Sequence, residues 1–176
     1  GIVATAIATA LGTLAALGLS RPHMPYKGLI MSILISPMIV PLIITAAGMF
    51  FFYARINLVY TFTGVILAHV ALATPFVVIT VTATLVGFDM NMVKAAQSLG
   101  AKPIRTFFKV IMPLILPGII SGALFAFITS FDEVVVVMFM ASIDQLTIPK
   151  QMWAGIRQEI SPVILCMATC LVLLSI

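Results

Sequence analysis

Two carboxylates, Asp132 and Glu133, interrupt the otherwise oily run AFITSFDEVVVVMFM. A carboxylate at the centre of a bilayer costs about 2.5–3.5 kcal/mol on insertion scales, which makes any such residue a candidate for function. Neighbouring helical positions point about 100° apart, so the pair cannot face one narrow pathway equally. One reading puts Asp132 on a solute pathway and lets Glu133 pair elsewhere or lie nearer the outer surface. The other ends the span here, about 18 residues after Leu114. VVVVMFMA then folds back as a short separate element that the carboxylates cap, and the sequence leaves both readings open. His69, in ILAHVALATP, is the other titratable side chain set in an apolar run. An intramembrane histidine can relay protons, but no second titratable group in that run suggests a relay, and a hydrogen bond to a neighbouring helix is expected. Cys166 and Cys170 lack metal-site spacing and read as packing residues. The sequence holds no His-Glu-x-x-His, no Gly-x-Ser-x-Gly and no glycine-rich Lys-Ser/Thr phosphate loop, so nothing in it signals a catalytic set.

The elements that carry these residues are apolar. Of 176 residues, 62% are hydrophobic and 8% charged, whereas a soluble domain carries roughly 25% charged residues. Runs beyond about 18 apolar residues indicate helical membrane spans. Strands of a membrane barrel would alternate polar and apolar residues, and these runs are continuous. The expectation is an all-α polytopic bundle in one transmembrane domain over residues 1–176, with about five spans. These are Gly1–Ser20, Leu29–Tyr53, Leu58–Gly87, Leu114–Ala141 and one beginning at Pro162. Pro22 and Pro25 should stop the first, and Pro75 is the expected bend in the third. The chain reads as truncated at both ends.

Six of the nine basic residues (Arg21, Lys27, Lys94, Lys102, Arg105, Lys109) fall on one face if the spans alternate, and Arg55, Lys150 and Arg157 on the other. Retention of basic loops makes the first face cytoplasmic. Trp153 and Tyr53 suit the aromatic belt opposite. Small residues recur at helical spacing along Ala4, Ala8, Gly12 and Ala16, and along Gly118, Gly122, Ala126 and Ser130. Such ridges mark helix-packing faces in lipid. The first is expected to pack within the bundle, and the second there or against a partner subunit. The threonines at 61, 63, 74, 80, 82 and 84 can bond back to their own helix.

One cytoplasmic stretch stands apart: DMNMVKAAQSLGAKPIRTFFKVIMPLILPGI, residues 89–119. Asp89 or Asn91 can cap a short helix that Gly100 ends, and Pro103 can open a second one leading to Pro113 and Pro117. Ala95, Ala96 and Leu99 share a small apolar face. An amphipathic connector resting on anionic lipid through Lys102, Arg105 and Lys109 accounts for the same residues.

This stretch resembles the EAA loop of bacterial ABC importer permeases of the binding-protein-dependent type. Ala95, Ala96 and Gly100 match that pattern, and Val110, Met112 and Pro113 fall at its Ile-x-Leu-Pro positions. Lys94 stands where the family has an acid. SPMIVPLIITAAGMFFFY and SFDEVVVVMFMA extend the resemblance to permease subunits of spermidine/putrescine importers, which have six spans. The resemblance implies a coupling loop at about 88–113, with Lys94, Ala95, Ala96, Gly100, Ala101 and Pro113 meeting a cytoplasmic ATPase. It implies a second, non-identical permease, two ATP-binding subunits that use ATP and Mg, and an extracytoplasmic binding protein. The chain itself would bind no cofactor or metal, meet no nucleic acid and sit in the inner membrane. For a polycation, Asp132, Glu133, Phe127 and Phe131 would supply charge and cation–π faces. The wider family also carries iron, thiamine and opines, and an ion-coupled secondary transporter is the alternative from another class.

Overall fold

A computed structural model of the chain describes residues 1–21, 23–89, 91–158 and 162–175. Among the described residues every regular element is a helix. In chain order the helices are α1 (Ile2–Leu19), α2 (Lys27–Ile39), α3 (Leu42–Arg55), α4 (Phe62–Val86), α5 (Asn91–Ser98) and α6 (Pro103–Thr106). A π-helical turn (Phe107–Ile111) leads into α7 (Met112–Phe131), and α8 (Val135–Met140), α9 (Ile148–Gln158) and α10 (Pro162–Ser175) follow. Contacts divide the chain into two compact units, residues 1–41 with 69–130, and residues 42–68 with 131–176.

The expected helical membrane fold is present with fewer clear spans than five. Ile2–Leu19, Phe62–Val86 and the continuous helix Pro103–Phe131 are long and apolar enough to cross, and the broken pair α2–α3 makes four if it counts as one. The run Leu29–Tyr53 is not one helix. Val40 is extended, at φ −71° and ψ 136°, because the residue before a proline is pushed out of the helical region, and Pro41 follows. The run from Leu114 ends at Phe131, short of Ala141, and α10 (Pro162–Ser175) covers the run in which the last span is expected to begin. Pro22 lies outside the described residues. Pro75, in contrast, lies within an uninterrupted α4.

The first unit is built on α4. Gly12 of α1 abuts Val77, where an added Cβ would come within 2.6 Å of the Val77 Cβ. Gly118 and Gly122 of α7 press on the other contact surface of α4, against Thr80, Thr84 and the Val77 backbone. Both ridges of small residues are therefore internal: Ala4, Ala8, Ala16 and Ala126 are all but fully buried. The second ridge is covered by α4 of the same chain. Three of the threonine hydroxyls of α4 bond back to their own helix: Thr74 donates to the Val70 carbonyl at 2.6 Å, Thr80 to Phe76 at 3.0 Å and Thr84 to Thr80 at 3.0 Å, whereas the buried Thr82 hydroxyl has no hydrogen-bond partner.

The helix from Pro103 to Phe131 absorbs two prolines. Pro113 brings no N–H, and its ring would press on the carbonyl of Lys109, four residues back. The wider turn just before it, in which Met112 N–H reaches the Phe107 carbonyl, opens that segment. In the second unit α8 packs on α3, with Phe50 and Phe139 edge to face at 6.4 Å and Val136, Val137 and Met140 fully buried. Cys166 and Cys170, expected to pack, are exposed on α10.

The glycine contacts predict a sharp asymmetry. Gly122→Val should destabilise the folded chain by about 1–3 kcal/mol through overpacking. Gly18→Ala, where nothing lies within 4 Å, should leave thermal unfolding in detergent unchanged or slightly improved.

Candidate functional site

The stretch after α4 forms a short, exposed, well-defined helix. The Asp89 carboxylate accepts a hydrogen bond from the Asn91 N–H at 2.9 Å, turning the chain into α5. Gly100, at φ +80°, ends it. Its N–H reaches the Gln97 carbonyl at 2.9 Å, and the Ala101 N–H reaches back to Ala96 at 3.0 Å. This pair is the Schellman closure, and its left-handed position favours glycine over any residue with a Cβ. Lys102 is extended, Pro103 occupies the first helical turn, and the Thr106 hydroxyl bonds the Lys102 carbonyl at 3.2 Å. α5 packs back on α6 and the π turn, so the two short pieces form one body continuous with α7.

The outer face of this body is apolar. Leu99 is 89% exposed and Ile104 75% exposed, with Met92 and Ala95 also exposed and Ala96 half-buried. The sequence singles out Ala95, Ala96 and Leu99. It misses Met92 and Ile104, whose signal is the i, i+3, i+7 spacing of Met92, Ala95 and Leu99 and an isoleucine just after the turn. Lys94 is exposed, and the Ser98 hydroxyl donates to its carbonyl at 3.0 Å. Ala101 is half-buried, whereas Pro113 lies in the first turn of α7 rather than in the loop.

The two carboxylates have different surroundings. α7 stops at Phe131 and Asp132 is exposed just beyond it. Glu133 is buried, and its two carboxylate oxygens accept from the Val136 N–H at 2.7 Å and the Val137 N–H at 3.0 Å. These are the donors that a helix start leaves unpaired. Glu133 thus caps α8, the arrangement in which the span ends at the acidic pair. Phe131 is half-buried at the end of α7, and Phe127, also half-buried, lines an apolar groove between α1 and the helix of residues 103–131.

His69 bonds to a neighbouring helix, as expected. Its Nδ1 lies 2.8 Å from the Ser130 hydroxyl, both groups buried. The sequence does not reveal Ser130 as the partner, because it reads only as the last small residue of a packing ridge.

A family model described as "Binding-protein-dependent transport system inner membrane component" matches residues 8–176. The chain is 31% identical, over 173 residues, to the spermidine/putrescine transport system permease protein PotC of Haemophilus influenzae, covering 98% of this chain and 67% of that relative. It is 36% identical over 103 residues to the putrescine transport system permease protein PotI of Escherichia coli, covering 58% of this chain and 37% of the relative. Over 142 residues it is 30% identical to the trehalose transport system permease protein SugB of Mycobacterium tuberculosis, 81% of this chain and 52% of the relative. The chain thus spans about two thirds of the first relative's length and less of the others.

The Glu133 geometry makes its own prediction. Glu133→Ala should cost the start of α8 about 1–2 kcal/mol. Read by hydrogen exchange, the Val136 and Val137 amides should exchange roughly 5- to 30-fold faster, with Glu133→Gln intermediate. Unchanged exchange in the alanine variant would show that the cap carries no stability.

Proposed function

Because this chain belongs to the binding-protein-dependent transport system inner membrane components, we propose that it forms the membrane-spanning permease part of an ATP-driven importer for polyamines of the spermidine and putrescine class. The observation that carries the reading is the exposed apolar face of α5, held on a rigid turn at the root of a membrane-spanning helix. An exposed contiguous apolar patch on an otherwise basic loop is the mark of a protein contact. The basic residues put this loop on the cytoplasmic side, where an ATP-binding subunit would meet Ala95, Ala96, Leu99 and Ile104.

The mechanical logic follows from the packing. Force applied to α5 passes through α6 and the π turn into α7, because no flexible residue separates them after the Gly100–Lys102 turn. α7 is in turn locked to α4 at Gly118 and Gly122. Closure of two ATP-binding subunits would move these helices as a body and switch access across the membrane. ATP and Mg belong to those partner subunits, and this chain supplies no catalytic group. A second permease, two ATP-binding subunits and an extracytoplasmic binding protein complete the proposed assembly. Lys94, where the family has an acid, would meet an acidic rather than a basic residue of its ATPase.

For the solute, two of the relatives are named for polyamines, and exposed Asp132 offers an ammonium group a carboxylate that Glu133, bound to the α8 amides, does not. Phe131 beside it adds an aromatic face. A different small solute is the second reading, favoured by the relative named for trehalose.

Uptake of labelled spermidine into proteoliposomes holding the full-length complex and ATP tests both parts. Asp132→Asn should lower uptake about tenfold or more, since a hydrogen bond to a charged group contributes about 1.5–3 kcal/mol, while ATP hydrolysis persists. Gly100→Val should lower uptake and substrate-stimulated hydrolysis together, a non-glycine residue in the left-handed region costing roughly 1–2 kcal/mol. Full uptake in the Asp132 variant would remove Asp132 from the pathway. ATP-driven movement of another solute in place of spermidine would leave the permease assignment and overturn the substrate.

A further inference from the structure

The short helix α8 is closed at both ends by side chains. Glu133 takes the Val136 and Val137 amides at its start. At its finish Ala141 turns extended, at φ −97° and ψ 137°, and the last carbonyls of the helix need partners from elsewhere. The Met140 carbonyl accepts the Tyr60 N–H at 2.9 Å, and the Ala141 carbonyl accepts the Lys150 ammonium at 3.4 Å. Lys150 pairs with no carboxylate among the described residues. Its own helix does not account for it either. Thr147 caps α9, its hydroxyl accepting the Lys150 N–H at 3.4 Å and its carbonyl the Gln151 N–H at 3.0 Å. Lys150 therefore takes the third helical position, where capping favours Glu or Gln and the helix dipole disfavours a cation. It stands at the wrong end of α9 and reaches the right end of α8.

The carbonyl that Lys150 holds is fixed by other bonds. Tyr60 lies at φ +62°, in the left-handed region that a bulky residue rarely adopts. Both of its backbone groups are bound: its N–H on Met140, and its carbonyl by the Gln145 side-chain amide at 3.1 Å. The Gln145 side-chain oxygen in turn accepts the Ser142 N–H at 3.2 Å. Residues on either side of Ala141 are thus tied down without the lysine, and the carbonyl keeps its place if the lysine leaves. The hold of Lys150 is loose by comparison. Its 3.4 Å bond is longer than the roughly 2.7–3.2 Å of most N–H···O bonds. The side chain is half-buried, and its ammonium rides on a flexible four-carbon stem.

We propose that the Ala141 carbonyl is an ammonium site on the entry side of the pathway, closed at rest by Lys150 and opened when an ammonium of the solute takes the lysine's place. The inference rests on the polyamine reading above. The group that occupies the site, a primary ammonium on an alkyl chain, is the group in which spermidine and putrescine end. Lys150 belongs to the less basic face, the extracytoplasmic one from which an importer loads. As a tethered competitor it reduces apparent affinity by the fraction of time it holds the carbonyl. It thereby turns away cations that bind too weakly to displace it.

The test measures spermidine uptake by the full-length complex in proteoliposomes, and lysine acylation of the same complex in nanodiscs by mass spectrometry. Lys150→Met keeps the length of the side chain and removes its charge. It should lower the KM for spermidine about tenfold if the lysine holds the carbonyl roughly nine-tenths of the time, while Lys150→Arg stays near the wild-type value. A purely structural lysine would give a raised KM or a reduced kcat on removal, the opposite sign. The second readout needs no variant. Saturating spermidine should raise acylation of wild-type Lys150 about tenfold as the ammonium is released, with exposed Lys27 unchanged. An unchanged or raised KM in an assembled Lys150→Met complex would overturn the proposal. So would Lys150 acylation that spermidine leaves unaltered in a complex that transports it. A wild-type complex that moves no spermidine overturns the polyamine reading, and this site with it.

Discussion

Backbone contact between α4 and its two neighbours is the constraint on which the first unit rests. Lipid tails are as apolar as leucine, so helices in a membrane gain little from hiding hydrocarbon and associate by close fit and occasional polar bonds. Gly12, Gly118 and Gly122 provide that fit by letting Val77, Thr80 and Thr84 approach where a side chain would collide. Thr80 and Thr84 spend their hydroxyls on carbonyls of their own helix, which keeps the surface facing those glycines smooth. The buried His69–Ser130 bond adds one directional tie between α4 and α7.

That fit gives the exposed loop its mechanical meaning. A short helix on a flexible tether would transmit nothing, but α5 is closed by two backbone bonds at Gly100 and packed on the helix that becomes α7. The prolines of this region do not soften it. Pro103 sits in a first turn, where its missing N–H has no partner to lose. Pro113 and Pro117 lie within a helix whose preceding turn is already widened.

Much of this was legible in the residues. Glycine at position 100, small residues at every fourth position and the threonines at 74, 80 and 84 each have few physical uses, and each has the expected one here; Thr82, its hydroxyl buried without a hydrogen-bond partner, does not. The prolines did not carry equal information. Pro41 breaks a helix, Pro75 does not, and Pro117 lies inside one. Whether a helix survives depends on how the freed carbonyl and the crowded turn are accommodated, and that is a property of packing, not of the proline. The acidic pair shows the same limit. Asp132 and Glu133 are neighbours of similar chemistry, and only the position of the Val136 and Val137 amides separates an exposed carboxylate from a helix cap. Likewise Ser130 reads as one more small residue until His69 is seen opposite it.

The central claim is that the apolar face of α5 meets an ATP-binding subunit and moves with it. The most direct measurement is disulfide cross-linking in native membranes between Leu99→Cys, in the full-length chain, and cysteines placed on the ATPase surface. Leu11→Cys, at an exposed position in the middle of α1, serves as the control. The account predicts a cross-link from position 99 whose yield changes when ATP is bound and when it is hydrolysed, and none from position 11. A position 99 that cross-links no better than position 11, in a complex that still hydrolyses ATP, would contradict it.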